Sequence, residues 1–178
     1  VTRTVTVAAP RDLVWALLTA PDQLSQWFGQ RADFPDGVAP GALGSFGWTG
    51  EGEFPARIEI NDPQTRFAFT WGSPGEPLRE DNATTATFTL ADAADGGTEL
   101  TVVETGFDRL SGDAAAHRRA MEDNAQGWNA EIDELVARAE ALPSGTDPVA
   151  DLDARRITHT VLVRTSAPIV WDALTDPS

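Results

Sequence analysis

Cysteine is missing from the 178 residues, which leaves no disulfide framework, no thiolate nucleophile and no cysteine metal site. That fits a reducing, cytoplasmic setting. Basic residues are few: 13 Lys and Arg stand against 28 Asp and Glu, for a formal charge of −15. Such a surface repels phosphate backbones and anionic headgroups, which argues against nucleic acid and acidic membranes as partners. No apolar run approaches the roughly 20 residues that span a bilayer, and no signal-peptide pattern opens the sequence. The two histidines are His117, near the start of an acidic helical segment, and His159. Neither has a second His or Cys at ligand spacing, so no transition-metal site is expected. Asp147, Asp151 and Asp153 lack the central Gly and terminal Glu of a calcium loop and read as part of a solvated linker. There is no G-x-S-x-G elbow, no phosphate-cradling Gly loop and no dinucleotide fingerprint. Neither a cofactor nor conventional catalytic equipment is therefore expected.

What is present suits one ordinary domain with length to spare, since 41% of the residues are hydrophobic. Thr2 to Ala8 alternates β-branched and polar residues and reads as a strand. Pro10 suits a first helical turn, with Leu13, Val14, Leu17 and Leu18 as the apolar face. Pro21 interrupts, and a shorter helical piece carries Leu24, Trp27 and Phe28. Short strands broken by Gly, Pro and Asp follow near Gln30–Phe34, Gly44–Thr49, Phe54–Ile60, Arg66–Trp71, Thr84–Leu90 and Glu99–Thr105. Turns at Asp62-Pro63 and Asp95-Gly96-Gly97 imply an antiparallel meander. Asp113 then caps one long helix reaching about Leu142, with Met121, Ala125, Trp128, Ile132, Leu135, Val136 and Ala139 as a single stripe. The expected class is α+β: a curved antiparallel sheet wrapped around a long C-terminal helix.

The tail repeats the beginning. Shifted by 156 positions, Thr2, Thr4, Val5, Val7, Val14, Trp15, Leu18, Thr19 and Pro21 match Thr158, Thr160, Val161, Val163, Val170, Trp171, Leu174, Thr175 and Pro177. A period this long has the size of a whole domain. The expectation is a domain over residues 1–142, a linker over 143–156, and the opening strand and helix of an incomplete second copy over 157–178. An orphan strand and helix would leave apolar surface and backbone groups unpaired, which allows a homodimer by strand exchange.

The wording of the first domain resembles a known family. Ala9-Pro10, Val14-Trp15-Ala16-Leu17-Leu18-Thr19, Trp27-Phe28, Gly44-Ser45-Phe46-Gly47-Trp48 and Arg66-Phe67-Ala68-Phe69-Thr70-Trp71 carry the resemblance. The run from Thr98 to Phe107 and Gly127-Trp128 complete it. The order and spacing are similar to the START-like (SRPBCC) helix-grip superfamily, in the branch of the homologues of the activator of the heat-shock ninety-kilodalton chaperone ATPase. The resemblance implies the helix-grip fold. Domains of this fold include lipid carriers, hormone receptors, polyketide cyclases and chaperone cofactors, so it does not choose a function. The chaperone activator's additional N-terminal domain has no counterpart here, so chaperone activation is not expected.

Strand parity assigns the inner faces. Phe46 and Trp48 share one, as do Ala56, Ile58 and Ile60; Phe67, Phe69 and Trp71; Phe88 and Leu90; and Leu100, Val102 and Glu104. With Trp27 before them and Met121, Trp128 and Ile132 on the helix, these side chains either fill the core or line an apolar cavity. Trp48, Trp71 and Trp128 as a group favour a cavity for a small hydrophobic ligand, because large rings around a curved sheet rarely pack solid. Glu104 either stays on that face, as a polar anchor or an acid/base, or reaches solvent where the strand bends near Gly106. The bend is the preferred reading. The alternatives to ligand binding are a cyclase- or lyase-like enzyme with Glu104 moving a proton, and a protein-interaction module.

Overall fold

A computed structural model describes residues 1–142 and the short segments 144–145, 149–151, 156–158 and 161–162. The chain divides into two compact units, Val1–Ala139 and Glu140–Ser178.

The first unit opens with β1 (Thr2–Val7), then α1 (Arg11–Thr19) and a single turn, α2 (Pro21–Leu24). Pro10 stands just before α1, and its carbonyl accepts the first helical bonds from Leu13 and Val14. Val14, Leu17 and Leu18 are the buried face of α1. Pro21 opens α2, which closes at Leu24, one turn short of the helical piece expected to carry Trp27 and Phe28. Those two follow in a turn whose amides bond back to the Leu24 carbonyl.

Six strands follow: β2 (Arg31–Asp33), β3 (Leu43–Trp48), β4 (Gly52–Asp62), β5 (Arg66–Gly72), β6 (Ala83–Asp92) and β7 (Thr98–Thr105). They form a meander, and β1 returns to pair with β7, giving one antiparallel sheet in the order β1-β7-β6-β5-β4-β3-β2. The alternation read from the sequence holds for Phe46, Ala56, Ile58, Phe67, Phe69, Phe88, Leu100 and Val102, which are all buried, but not for Ile60, which pairs with Ala68 and so lies on the other face from Ile58 and Phe69. An irregularity in register between Ile58 and Ile60 interrupts the long strand β4, and such a bulge bends a strand.

After a 3₁₀ turn at Phe107–Arg109, α3 runs over Ala114–Ala141. Asp113 caps it, its Oδ1 accepting the Ala116 amide at 2.8 Å. The buried residues of α3 are Trp128, Ile132, Leu135 and Ala139. Its first turns extend past the core, so Met121, expected in the interior, is 43% exposed. Arg3 of the edge strand β1 ties the middle of α3 down: it donates to the carbonyls of Trp128 and Asn129 and pairs with Asp133.

In the second unit, β8 (Ser144–Gly145) pairs with β11 (Val161–Leu162), and β9 (Val149–Asp151) with β10 (Arg156–Thr158). The strand and helix expected over 157–178 as a second copy lie for the most part outside the described residues.

Candidate functional site

Glu104 is the organising group. It stays in the β6–β7 ladder opposite Ala86, and its amide donates to the Val1 carbonyl. The chain turns only at Gly106, where φ is 99°. The expected bend therefore comes too late to release the side chain, and Glu104 is 1% exposed. Four side chains meet its carboxyl group. Oε1 accepts Trp71 Nε1 at 2.8 Å, Thr84 Oγ1 at 2.6 Å and Asn124 Nδ2 at 3.0 Å. Oε2 accepts Trp128 Nε1 at 2.7 Å and Asn124 Nδ2 at 3.1 Å. A buried carboxyl group needs such partners to offset lost hydration. Here they come from β5, β6 and α3, so one side chain of β7 fastens the helix across three strands.

The aromatic interior is filled. Phe28 stacks on Trp128 at 5.2 Å with planes 6° apart, and meets Phe46 at 4.8 Å and Phe69 at 5.7 Å. Phe88 adds contacts to Trp27 at 6.2 Å, Phe69 at 5.9 Å and Trp128 at 5.5 Å. These spacings are those of packed rings. The centre that the sequence suggested as ligand space is thus occupied by side chains.

Open space lies at the edge of this stack. A cleft of about 460 Å³ is lined by Phe28, Trp48, Glu51, Phe54, Trp71, Asp123, Asn124, Gly127, Trp128 and Glu131. Trp48, Phe54 and Trp71 form a triangle with ring centres 5.1, 5.7 and 5.8 Å apart. All three are half-buried, so ring surface remains available to a guest. Gly127 contributes backbone only, and a Cβ added there would meet nothing within 4 Å.

Of the residues expected to bind ligand, Trp48, Trp71 and Trp128 line this cleft. Trp27, Phe46, Ile58, Phe69, Phe88 and Val102 are buried in the packed core. The Trp27 indole donates to the Leu17 carbonyl at 2.8 Å and so serves the α1 contact. Glu104 stands behind the two indole walls and is not among the lining residues, and Met121 is exposed away from them. Sequence reasoning missed Phe28, Glu51, Phe54, Asp123, Asn124, Gly127 and Glu131 as lining residues. Four of the lining residues, Asn124, Gly127, Trp128 and Glu131, have one-face helical spacing. A search for polar neighbours of Trp128 at that spacing would have found Asn124 and Glu131.

A second concavity, of about 500 Å³, opens on the opposite face of the sheet around Arg57, Glu59, Thr70, Arg79 and Thr85. It carries no aromatic ring. Arg57 pairs with Glu59, and Arg79 with Glu76 and Asp81. Among the described residues no helix is long and apolar enough to cross a membrane, and no group of His, Cys, Asp or Glu could hold a metal ion.

Glu131 is the half-buried carboxylate of the cleft. Burial lifts its pKa above the ordinary carboxylate value; the Trp48 indole, donating at 3.0 Å, pulls it back, Glu134 adds to the rise, and the Gly29 amide opposes it. The folded state therefore holds that proton more tightly than the unfolded chain. Charged Glu131 detracts from stability at neutral pH, and the penalty fades as pH falls through the raised folded value toward the unfolded one. Glu131→Gln keeps an acceptor for Trp48 and removes the charge. It is expected to raise the urea midpoint slightly at neutral pH, an advantage that vanishes near about pH 4.

A seven-stranded antiparallel sheet gripping one long C-terminal helix, with two short helices after the first strand, is the START-like helix-grip fold. Residues 8–140 match the family model described as Activator of Hsp90 ATPase homolog 1-like protein, and the chain belongs to that family. It is similar in structure to protein MLL2253 from Mesorhizobium loti, at 21% identity over 77% of this chain and 93% of that one, with a TM-score of 0.63. The Aha1 dimer from Colwellia psychrerythraea aligns at 17% identity over 79% of this chain and 95% of that one, with a TM-score of 0.62. DynU16, a protein of the dynemicin biosynthetic locus, aligns at 21% identity over 82% of this chain but 53% of its own length, with a TM-score of 0.60. No curated protein matches the chain.

Proposed function

We propose that the domain binds a small hydrophobic molecule with a flat ring system in the cleft between α3 and strands β3 to β5, and holds it without transforming it. The observation that carries this reading is the half-buried triangle of Trp48, Phe54 and Trp71 facing open space beside Trp128. Exposed ring faces in a concavity favour a guest that removes them from water and stacks against them. Glu104, the side chain best suited to proton transfer, has both oxygens occupied by protein donors behind the walls. Binding therefore accounts for the arrangement more economically than catalysis.

Gly127 supplies the test. A glycine inside a helix costs about 1 kcal/mol relative to alanine, yet here it leaves the cleft free of a side chain. Gly127→Ala is expected to stabilise the protein by up to about 1 kcal/mol in urea denaturation. Gly127→Leu should fold equally well and weaken the binding of 2-naphthylmethanol by about tenfold or more in calorimetric titration. Unchanged affinity in the leucine variant would remove the cleft as the site.

Self-association is a separate proposal, resting on the repeat at 157–178. Sedimentation at increasing concentration tests it, and the mass of one chain throughout would eliminate it.

A further inference from the structure

Resting on that reading, we propose that the cleft selects an organic cation: a hydrophobic ring system bearing an amine or quaternary ammonium group. The aromatic walls alone would accept any flat apolar ring. The charge around them is one-sided. Glu51, Asp123 and Glu131 line the cleft, and no Lys or Arg does. This is not merely the acidity of the whole chain. Six of the ten arginines in residues 1–142 are matched to carboxylates outside the cleft, as in Arg31 with Asp33 and Glu53, Arg57 with Glu59, and Arg66 with Asp62. No ion pair of the described residues involves Glu51, Asp123 or Glu131.

Their placement suits one guest. Asp123 and Glu131 lie on α3 two turns apart, about 12 Å along the axis at the usual rise, and so flank the cleft at both ends. Glu51 belongs to the turn between β3 and β4, on the sheet side. Between them stand the faces of Trp48, Phe54 and Trp71, whose π clouds attract a cation as the carboxylates do. Glu131 accepts only uncharged donors, the Trp48 indole and the Gly29 amide, and burial raises its pKa with no cation beside it to offset the rise. A bound ammonium group would supply one. An anionic guest would meet three like charges, and a neutral one would leave those charges beside newly dried apolar surface.

The experiment is calorimetric titration of the full chain at low salt with three probes of one shape: 2-naphthylmethyl-trimethylammonium, 2-naphthylmethanol and 2-naphthylacetate. The cation is expected to bind about tenfold more tightly than the alcohol, and the acetate weakest of the three. A triple variant, Glu51→Gln with Asp123→Asn and Glu131→Gln, should weaken the cation and, with no charge left beside the dried apolar surface, strengthen the alcohol slightly, bringing the two to within about twofold of each other. A control triple at exposed positions outside the cleft, Asp36→Asn with Glu99→Gln and Asp108→Asn, removes the same net charge and should keep the tenfold preference. Should the cleft triple lose the alcohol as well, Glu51→Gln and Asp123→Asn decide singly, each lowering the ratio of cation to alcohol affinity about two- to threefold. Parity of cation and alcohol in the unmodified chain, or equal loss of preference in the control triple, overturns the inference while leaving small-molecule binding intact. Failure of all three probes to bind overturns both.

Discussion

Glu104→Ala is expected to lower the unfolding free energy by about 4 kcal/mol or more, measured by urea denaturation. The loss comes from what remains behind. Two indole N–H groups, a threonine hydroxyl and an asparagine amide converge on a carboxyl group that is no longer there. An unsatisfied buried donor costs about 1–3 kcal/mol. Thr84 and Asn124 can turn elsewhere, but the indoles are held by ring packing and cannot follow. Against a typical domain stability of about 5–15 kcal/mol, this is a large share. Glu104→Gln should cost less, about 2–3 kcal/mol: one oxygen persists, while the new amide group faces the Trp128 N–H. Adding Trp128→Phe to Glu104→Gln should cost less than the two changes summed, because the opposed donor is then gone. A Glu104→Ala loss below about 1 kcal/mol would mean that the carboxyl group does not fasten the helix.

The second large effect belongs to Trp128. Trp128→Ala is expected to cost about 3–5 kcal/mol. The indole stacks on Phe28, meets Phe88 and Trp71 edge to face, and donates to Glu104. Its removal opens a cavity where α3 crosses the sheet and frees one acceptor. Trp128→Phe separates these contributions, since it keeps most of the ring and drops the N–H, and should cost about 1–3 kcal/mol. Near-equal losses for the two variants would assign the indole's role to its hydrogen bond instead of its packing. The alanine variant should also abolish binding of the naphthyl probes, because a wall of the cleft is gone.

The architecture was largely legible because its signals are local. Alternation along β5 placed Phe67 and Phe69 inside, Asp113 marked the helix start, and Asp95-Gly96-Gly97 marked the turn between β6 and β7. The candidate site was less so, for a physical reason in each case. Parity put Glu104 on the inner face, but its donors lie 20 to 33 residues away on other elements. With no partner in view, a bend into solvent was the cheaper alternative for a carboxylate. Met121 satisfied the helical stripe, yet a 28-residue helix outruns the core it crosses. Periodicity reports a direction and says nothing about where the sheet ends. The tryptophans were correctly gathered on one face, but Phe28, from the turn after α2, fills the centre and leaves open space only at the rim.

Trp71 and Trp128 donate to the two oxygens of one carboxyl group, that of Glu104. Their orientations are fixed by the same bond set that holds the fold together, so a change in either weakens the native state. Glu51, Phe54 and Asp123 bear no such obligation. Diversification of ligand preference among descendants of this chain is therefore channelled into the rim, where exchanges leave the scaffold standing.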